Sequence, residues 1–589
     1  MRAAARLVRG KQCSGTVFPA RLVVLLLLAA VLTSCATVPD SSPVQVLGRS
    51  GEGDQTPAEG PVDGGNPLDL VRDFVFASGA STDRHGSSRR FLAPEADNWD
   101  DSAGMTVLDG NFDTVPTPGT PGSGDTASIR IRGTAIGRVT SSGAFEPDQA
   151  PFQQDVTVVR RDGQWRISAL PNGVVVPLSI FRNNYRSVRI WFVDPVRRLV
   201  VPDVRYVPSV PARAQPARVA DLLLGGPASA MVGAATSVLP TGAKLRSNVA
   251  TSPDGALVVD LTGVGELDGP ARRLLAAQIV LSMAEVNVVR ARLLVDGEPL
   301  LPDRPDVSRA DVADLVAEPP PAADVPELVV SGGRLRQLAD SGAGTPSDGP
   351  AGNGAYDVES AGMSVDGRRL AVVARSGGRR QLLVGGTTDP QLTPTGLDAA
   401  AMTRPTWAPD GNEAWTVSDG RTVTRVLLDG ANPPRTGPVD ADQLTAFGPI
   451  RDLRLSRDGL RIAAVVGTGL YTAAVARTGD GGVNIIDVRR LRPLDLGEVV
   501  AADWRAADQI VSVSRGPDLL VAQTSVDGLG LQQVLGNNLT PPLSAVAATS
   551  NQPLLVTDQT GVWDFAFGDQ SAWRQVLGSA PDAVPLYPG

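Results

Sequence analysis

The chain has 589 residues, with 42% hydrophobic and 4% aromatic residues and a formal net charge of −9. At ~150 residues per domain this is material for three to four domains, and the 63 Gly and 48 Pro call for many turns between short strands. The acidic balance excludes nucleic acid as a partner, because such a surface repels phosphates instead of displacing their counterions.

The first 21 residues carry Arg2, Arg6, Arg9, Lys11 and Arg21 and no acid, and an apolar run follows from Leu22 to Leu32. About 11 apolar residues fall short of the ~20 that cross a bilayer as a helix. A basic start, a short apolar core and small residues describe a secretory signal peptide over 1–34. The run ends on Leu32-Thr33-Ser34-Cys35. This is similar to the bacterial lipobox, which directs cleavage between Ser34 and Cys35 and lipid attachment at Cys35; Ser34 stands where Gly or Ala is usual. Cys13 leaves with the signal peptide, so no internal disulfide is available. A nucleophilic Cys35 would need a base, and the only histidine is His85. An acylated cysteine meets neither objection: each buried methylene contributes ~0.8 kcal/mol and two or more chains anchor stably. Cleavage removes five positive charges and no negative one, which takes the formal charge from −9 to −14. Of the 54 basic residues only Lys11 and Lys244 are lysines, a mark of a GC-rich genome.

Residues 35–66 are rich in Pro, Gly, Ser, Asp and Glu and read as a disordered tether. Its reach is roughly 30 Å. A first domain is expected over 67–180. Leu68, Val71, Phe74 and Val75 follow helical spacing behind Asn66, a candidate N-cap. The stretch "SIRIRGTAIGRV" alternates like a strand, and "DVTVVRRDGQWRI" is two strands around an Asp162-Gly163 turn. A helix followed by a curved sheet resembles the cone of the nuclear-transport-factor-like fold. Trp99 and Trp165 then either line the cone's pocket or, the favoured reading, belong to its core.

The second domain, 181–305, runs through "YRSVRIWFVD" and "RLVVPDVRYV" as strands and "PARVADLLLGGP" as a helix ended by glycine. After "AKLRSNVATSPDGALVVDLTG", a strand, a turn and a strand, comes the long helix "GPARRLLAAQIVLSMAEV". Its Leu274, Ala277, Gln278 and Leu281 share one face, with only Gln278 polar. The strand "VVRARLLVDGEPL" closes it. The pieces "IWFVD", "VVPDVRYV", "LLLGGP", "LPTGAKL", "VVDLTG" and "VDGEPL" resemble the GerMN domain of spore-germination and envelope proteins, an α/β fold.

Residues 306–327, ending in "VAEPPPAADVPE", read as a Pro/Ala/Asp-rich linker. From 328 to 589 the chain repeats. "SVDGRRLAVVA", "APDGNEAWTV" and "SRDGLRIAAVV" each place a turn before an apolar strand, with "WRAADQIVSVS" a weaker copy. The turn residues Asp366, Asp410 and Asp458 recur at a period of ~45, the spacing of β-propeller blades, which gives about six blades. "LVVSGGRLRQL" opens the first blade, "LLVTDQTGVWDF" belongs to the last, and "GLGLQQVLG" is placed between blades.

No catalytic constellation emerges. His85 stands alone in the polar loop "STDRHGSSRR", which excludes His-based triads and His-rich zinc sites. No nucleophile elbow, H-E-x-x-H or P-loop is present. The Asp-Gly turns lack the spacing of a calcium loop. No cofactor, no metal and no enzyme activity is expected.

The order of lipobox, tether, cone, GerMN domain and propeller, with "FLAPEADNWDD", "DGQWRISALPNGV", "RRLLAAQIV", "LRLSRDGLRIAAVV" and "LSAVAAT", resembles the actinobacterial LpqB lipoprotein family over nearly the whole chain. The resemblance implies an anchor on the extracytoplasmic face of the cell membrane, through Cys35 as an N-palmitoyl, S-diacylglycerol cysteine. It also implies binding to the extracellular domain of the sensor histidine kinase MtrB, with effects on the MtrAB two-component system, envelope homeostasis and division. A peptidoglycan-binding scaffold is the alternative reading, and a propeller-based hydrolase or lyase the less favoured one.

Overall fold

A computed structural model describes residues 60–80, 85–118, 124–209, 211–318, 326–338, 344–516, 519–568 and 571–589. The signal peptide, the Ser34–Cys35 cleavage site, Cys35 itself and the tether as far as residue 59 lie outside the described residues. Among the described residues no helix is long and apolar enough to cross a membrane.

Helix α1 (Pro67–Ala77) begins where expected: the Asn66 side chain accepts from the backbone N–H of Asp69 at 2.9 Å, and Pro67 fills the first position, which needs no donor. Its buried Leu70, Val71, Phe74 and Val75 face a sheet of β1 (Met105–Leu108), β2 (Asp113–Pro116), β3 (Thr126–Val139), β4 (Phe145–Arg161), β5 (Gln164–Ala169) and β6 (Val174–Pro177). The strand order is β5-β4-β3-β1-β6, with β2 also on β3. Register shifts at Val107/Leu108 and at Ala135/Gly137 bend the long strands, so the sheet curves over α1. Asp162 (φ 50°) and Gly163 (φ 80°) make the tight turn between β4 and β5. Trp99 is in the core, edge-on to Phe74, and donates Nε1–H to the Gly173 carbonyl at 3.1 Å; Trp165 packs partly buried at the core's edge.

Helix α2 (Leu178–Asn184) runs straight into the second domain, where β7 (Tyr185–Val193) and β8 (Val200–Pro208) form a hairpin and α3 (Gln215–Leu224) follows. Short strands β9 (Lys244–Leu245) and β10 (Ala250–Thr251) flank β11 (Leu257–Thr262). Helix α4 (Gly269–Ala284) then crosses over to β12 (Arg290–Val295), parallel to β11. From Leu274 to Met283 every residue of α4 is buried, because sheet, hairpin and α3 surround it. Gln278 is satisfied there: it donates to the Trp191 carbonyl at 3.1 Å and accepts from the Val238 N–H at 2.8 Å. After β13 (Glu298–Pro299) comes a departure from composition. Residues 306–318, expected as linker, complete this domain. Strand β14 (Asp306–Ser308) pairs with β12, and a 3₁₀ segment (Arg309–Leu315) packs on α4. Ser308 and Asp311 cap that segment reciprocally.

The third domain is a ring of six four-stranded sheets, which agrees with the expected propeller. Val584–Leu586 pairs with Leu328–Ser331 and supplies the innermost strand of the first blade, so the chain's two ends of this domain close the ring. The second strand of each blade is buried on both faces by its neighbours, as in Leu370–Ala374 and Arg461–Val466, which is why these strands read as continuous apolar runs. Trp407 donates to the Gly362 carbonyl of the preceding blade at 2.8 Å, and Trp504 does the same to Arg454 at 3.0 Å. "GLGLQQVLG" lies within the fifth blade, as the turn and outer strand Leu531–Val534, not between blades. Trp504→Ala empties a fully buried interblade site and removes the bond to the Arg454 carbonyl. It should cost about 3–5 kcal/mol, read as a drop in the denaturant midpoint of the purified protein.

Candidate functional site

The Asp-Gly turns of the propeller are built from their own side chains. Asp366 accepts from Ser364 Oγ at 2.6 Å and from the Arg368 N–H at 3.1 Å, and Gly367 takes φ 71°. Asp458 repeats this with Ser456 and Leu460 and adds an ion pair to Arg461 at 2.8 Å. These carboxylates close turns, and among the described residues no group of three or more His, Cys, Asp and Glu side chains is arranged to hold a metal.

The inner strands of the propeller carry a buried charged cluster. Arg404, Asp452, Arg454 and Asp503, all buried, come from or beside inner strands and meet there. Arg454 Nε lies 3.2 Å and Arg404 Nη2 3.5 Å from Asp503, while Arg404 and Arg454 also donate to the carbonyls of Pro585 and Pro405 at 3.0 and 2.8 Å. Burial alone would raise Asp503, but Arg454, Arg404 and Arg457 outweigh it and hold its carboxyl below the usual range. Asp452, with less compensation, is pushed up by burial, and burial lowers Arg404. Residues 588–589 lie over this network, with the Gly589 N–H on the Met363 carbonyl at 2.9 Å.

His85 is a turn residue (φ 54°) just before the helical turn Gly86–Arg89, but its side chain is buried rather than solvated. Its ring is buried edge-on to Trp99 and donates Nδ1–H to the Ser78 carbonyl at 3.0 Å. Burial lowers its pKa, against the pull of Asp101, so the ring is neutral. It borders a cleft of about 400 Å³ between the first and second domains, beside Tyr185, Tyr206 and Arg218.

The feature that sequence reasoning did not find is a three-way junction. Arg461 donates to the Pro202 carbonyl of β8, and Arg197, in the β7–β8 turn, donates to the Asp458 carbonyl. Leu460 joins the core of the second domain and Leu529 that of the first. Tyr206 donates its hydroxyl to Asp527 at 2.9 Å, where Ser525 Oγ and the Leu529 N–H also donate. Burial raises both the Tyr206 hydroxyl and the Asp527 carboxyl. Gln149 of β4 brackets Asp495 and the Leu494 N–H at 2.9 Å each, and Arg205 donates to the Ser142 carbonyl at 2.7 Å. Glu318, just after Val316 bridges to Val200, sits at the same junction. Burial and the nearby Asp458 and Asp508 push its carboxyl up to about 6, against Arg457 and Arg189.

Three families match the chain in domain order. "Lipoprotein LpqB, N-terminal domain" matches residues 60–182, "Sporulation and spore germination" residues 189–301, and "Lipoprotein LpqB beta-propeller domain" residues 333–588. Lipoprotein LpqB of Rhodococcus opacus strain B4 is 32% identical over 594 residues, covering 96% of this chain and 97% of that protein. Lipoprotein LpqB of Nocardia farcinica strain IFM 10152 is 31% identical over 622 residues, 99% of this chain and 100% of its own. That of Mycobacterium tuberculosis strain CDC 1551 / Oshkosh is 31% identical over 599 residues, 97% and 99% of the two. Solved structures align loosely: a chain of a nidogen/laminin complex reaches a TM-score of 0.34 at 12% identity, over 45% of this chain and 98% of its own.

The junction has a pH signature. A carboxyl raised in the fold from 4.5 to about 6 favours the protonated form. Native stability is therefore unaffected by this group below about pH 4.5 and falls as pH rises through 6. Glu318→Gln should match the wild type in unfolding free energy near pH 4 and exceed it by about 1–2 kcal/mol near pH 7.5. Tyr206→Phe leaves Asp527 short of a donor and should cost about 1–3 kcal/mol, measured by denaturant unfolding at constant pH.

Proposed function

The chain belongs to the LpqB lipoprotein family, and on that premise we propose that it is an acylated protein of the extracytoplasmic membrane face that binds and modulates the sensor histidine kinase MtrB. Cys35, the last residue of the lipobox-like Leu32-Thr33-Ser34-Cys35, is the anchor. The observation that carries the binding role is the junction: three domains share core residues and buried hydrogen bonds. Such a body offers fixed surfaces for contact. Anchoring in the partner's membrane raises the effective concentration of the two proteins for one another, so modest intrinsic affinity suffices. The regulatory consequence belongs to the MtrAB system, through the extracellular part of the kinase.

Two outcomes test this. Cys35→Ala should move the protein from the membrane fraction to the aqueous phase on detergent partitioning and remove the acyl mass; retention in the membrane would dispose of the anchor. Photo-crosslinking in intact cells, with captured proteins identified by mass, should recover MtrB through its extracellular domain. Repeated capture of peptidoglycan fragments without the kinase would favour the scaffold reading instead.

A further inference from the structure

The second domain carries a groove of about 890 Å³ between the start of α4, the β7–β8 turn and residues 301–315. Its floor is apolar, with buried Leu274, Val307 and Val312. Its rim holds Arg198, Arg272, Arg273 and Arg304 against Asp303 and Asp311. Arg304 pairs with Asp311, and Arg273 with Asp314 at 3.0 Å. Arg198 and Arg272 have no carboxylate within ion-pair distance among the described residues; Arg272 uses only Nε, on the Leu267 carbonyl at 3.1 Å. On a chain of net charge −9 this rim inverts the prevailing sign. Arg198 takes φ 55° in the β7–β8 turn.

Resting on the reading that this protein binds a protein partner, we propose that the groove docks an acidic peptide segment of that partner. An apolar side chain would enter the floor, and two carboxylates would pair with Arg198 and Arg272. Guanidinium groups match carboxylates in two parallel hydrogen bonds, and the apolar floor beneath lowers the local dielectric and strengthens those bonds. A planar membrane surface cannot follow a concave floor, so the geometry favours a chain segment over lipid.

The test uses the full-length protein in detergent and the double variant Arg198→Glu/Arg272→Glu, with Arg198→Lys/Arg272→Lys as the milder pair and Arg160→Glu/Arg451→Glu as a distant control of equal charge change. The first probe is a fluorescent peptide of about ten alternating Glu and Leu residues. Its anisotropy should report binding to the wild type that the Glu pair weakens at least tenfold, that the Lys pair largely retains, and that falls as salt rises. Control and wild type should coincide. The second probe is the isolated extracellular domain of the kinase. Loss of its binding in the Glu pair alone ties the groove to the proposed partner. Peptide binding without kinase binding sustains the groove and removes the kinase. Kinase binding that ignores all three variants, or no peptide binding to a wild type of unchanged thermal midpoint, overturns the groove. Arginine-dependent retention of the Cys35→Ala protein on phosphatidylglycerol vesicles, with no peptide binding, would assign the rim to lipid and also overturn it.

Discussion

One turn of the fourth blade carries the arrangement of the whole molecule. Residues 456–461 fold as a Ser-x-Asp-Gly turn, and two of its groups leave the propeller: Arg461 reaches the Pro202 carbonyl, and the Asp458 carbonyl receives Arg197. The Asp458–Arg461 pair is almost wholly buried, with side-chain exposures of 0% and 7%. Removing either partner would leave an unmatched charge in the interface, and such a loss costs far more than the intact pair contributes. The turn therefore fixes a direction as much as it adds stability. Leu460, between these polar groups, contributes the apolar area by entering the second domain's core.

The same logic explains why the junction is polar at all. Three independent domains joined only by apolar contact would slide across one another, because dispersion and burial are indifferent to small rotations. Asp527 beneath Tyr206, Gln149 against Asp495 and Arg205 on the Ser142 carbonyl each demand one geometry. Glu318 works the other way. Its carboxyl is raised to about 6, so ionisation near neutrality opposes the packing that the neighbouring pairs favour. The junction is thus held by directional bonds, and two of its acids, Asp527 and Glu318, are raised by the same burial that makes those bonds strong.

The architecture was largely legible in the residues, and the junction was not. Blades announced themselves because the turn and the doubly buried second strand recur together, and that pairing is local. The closing strand Val584–Leu586 was invisible: three residues with a proline carry no period. Residues 306–318 read as linker from composition, although Ser308 and Asp311, three apart, are the spacing of a capping box and were the available signal. His85 has polar sequence neighbours, and only the fold brings Trp99 against it. The most telling case is the pair Arg369 and Arg461. Both follow Ser-x-Asp-Gly turns, and the one local hint is the apolar Leu460 where the other turn has Arg368. Arg369 donates to the Gly411 carbonyl of the next blade at 2.9 Å, whereas Arg461 crosses into another domain. Contacts between distant segments depend on which copy of a repeat faces the neighbour, and a repeat hides that by construction.

That same ambiguity has a functional consequence. A six-bladed ring presents nearly equivalent turns around its circumference, so the ring by itself cannot define where a partner sits. Docking the first and second domains against blades four and five breaks that equivalence, because it covers the turns of Asp458 and Asp527 and leaves those of Asp366 and Asp410 facing outward. It also sets the arginine-rimmed groove of the second domain at a fixed angle to the remaining blades. Were the proposed segment to bind in the groove, its partner would meet one set of propeller turns and not another, and specificity would come from the angle between two surfaces neither of which is specific alone.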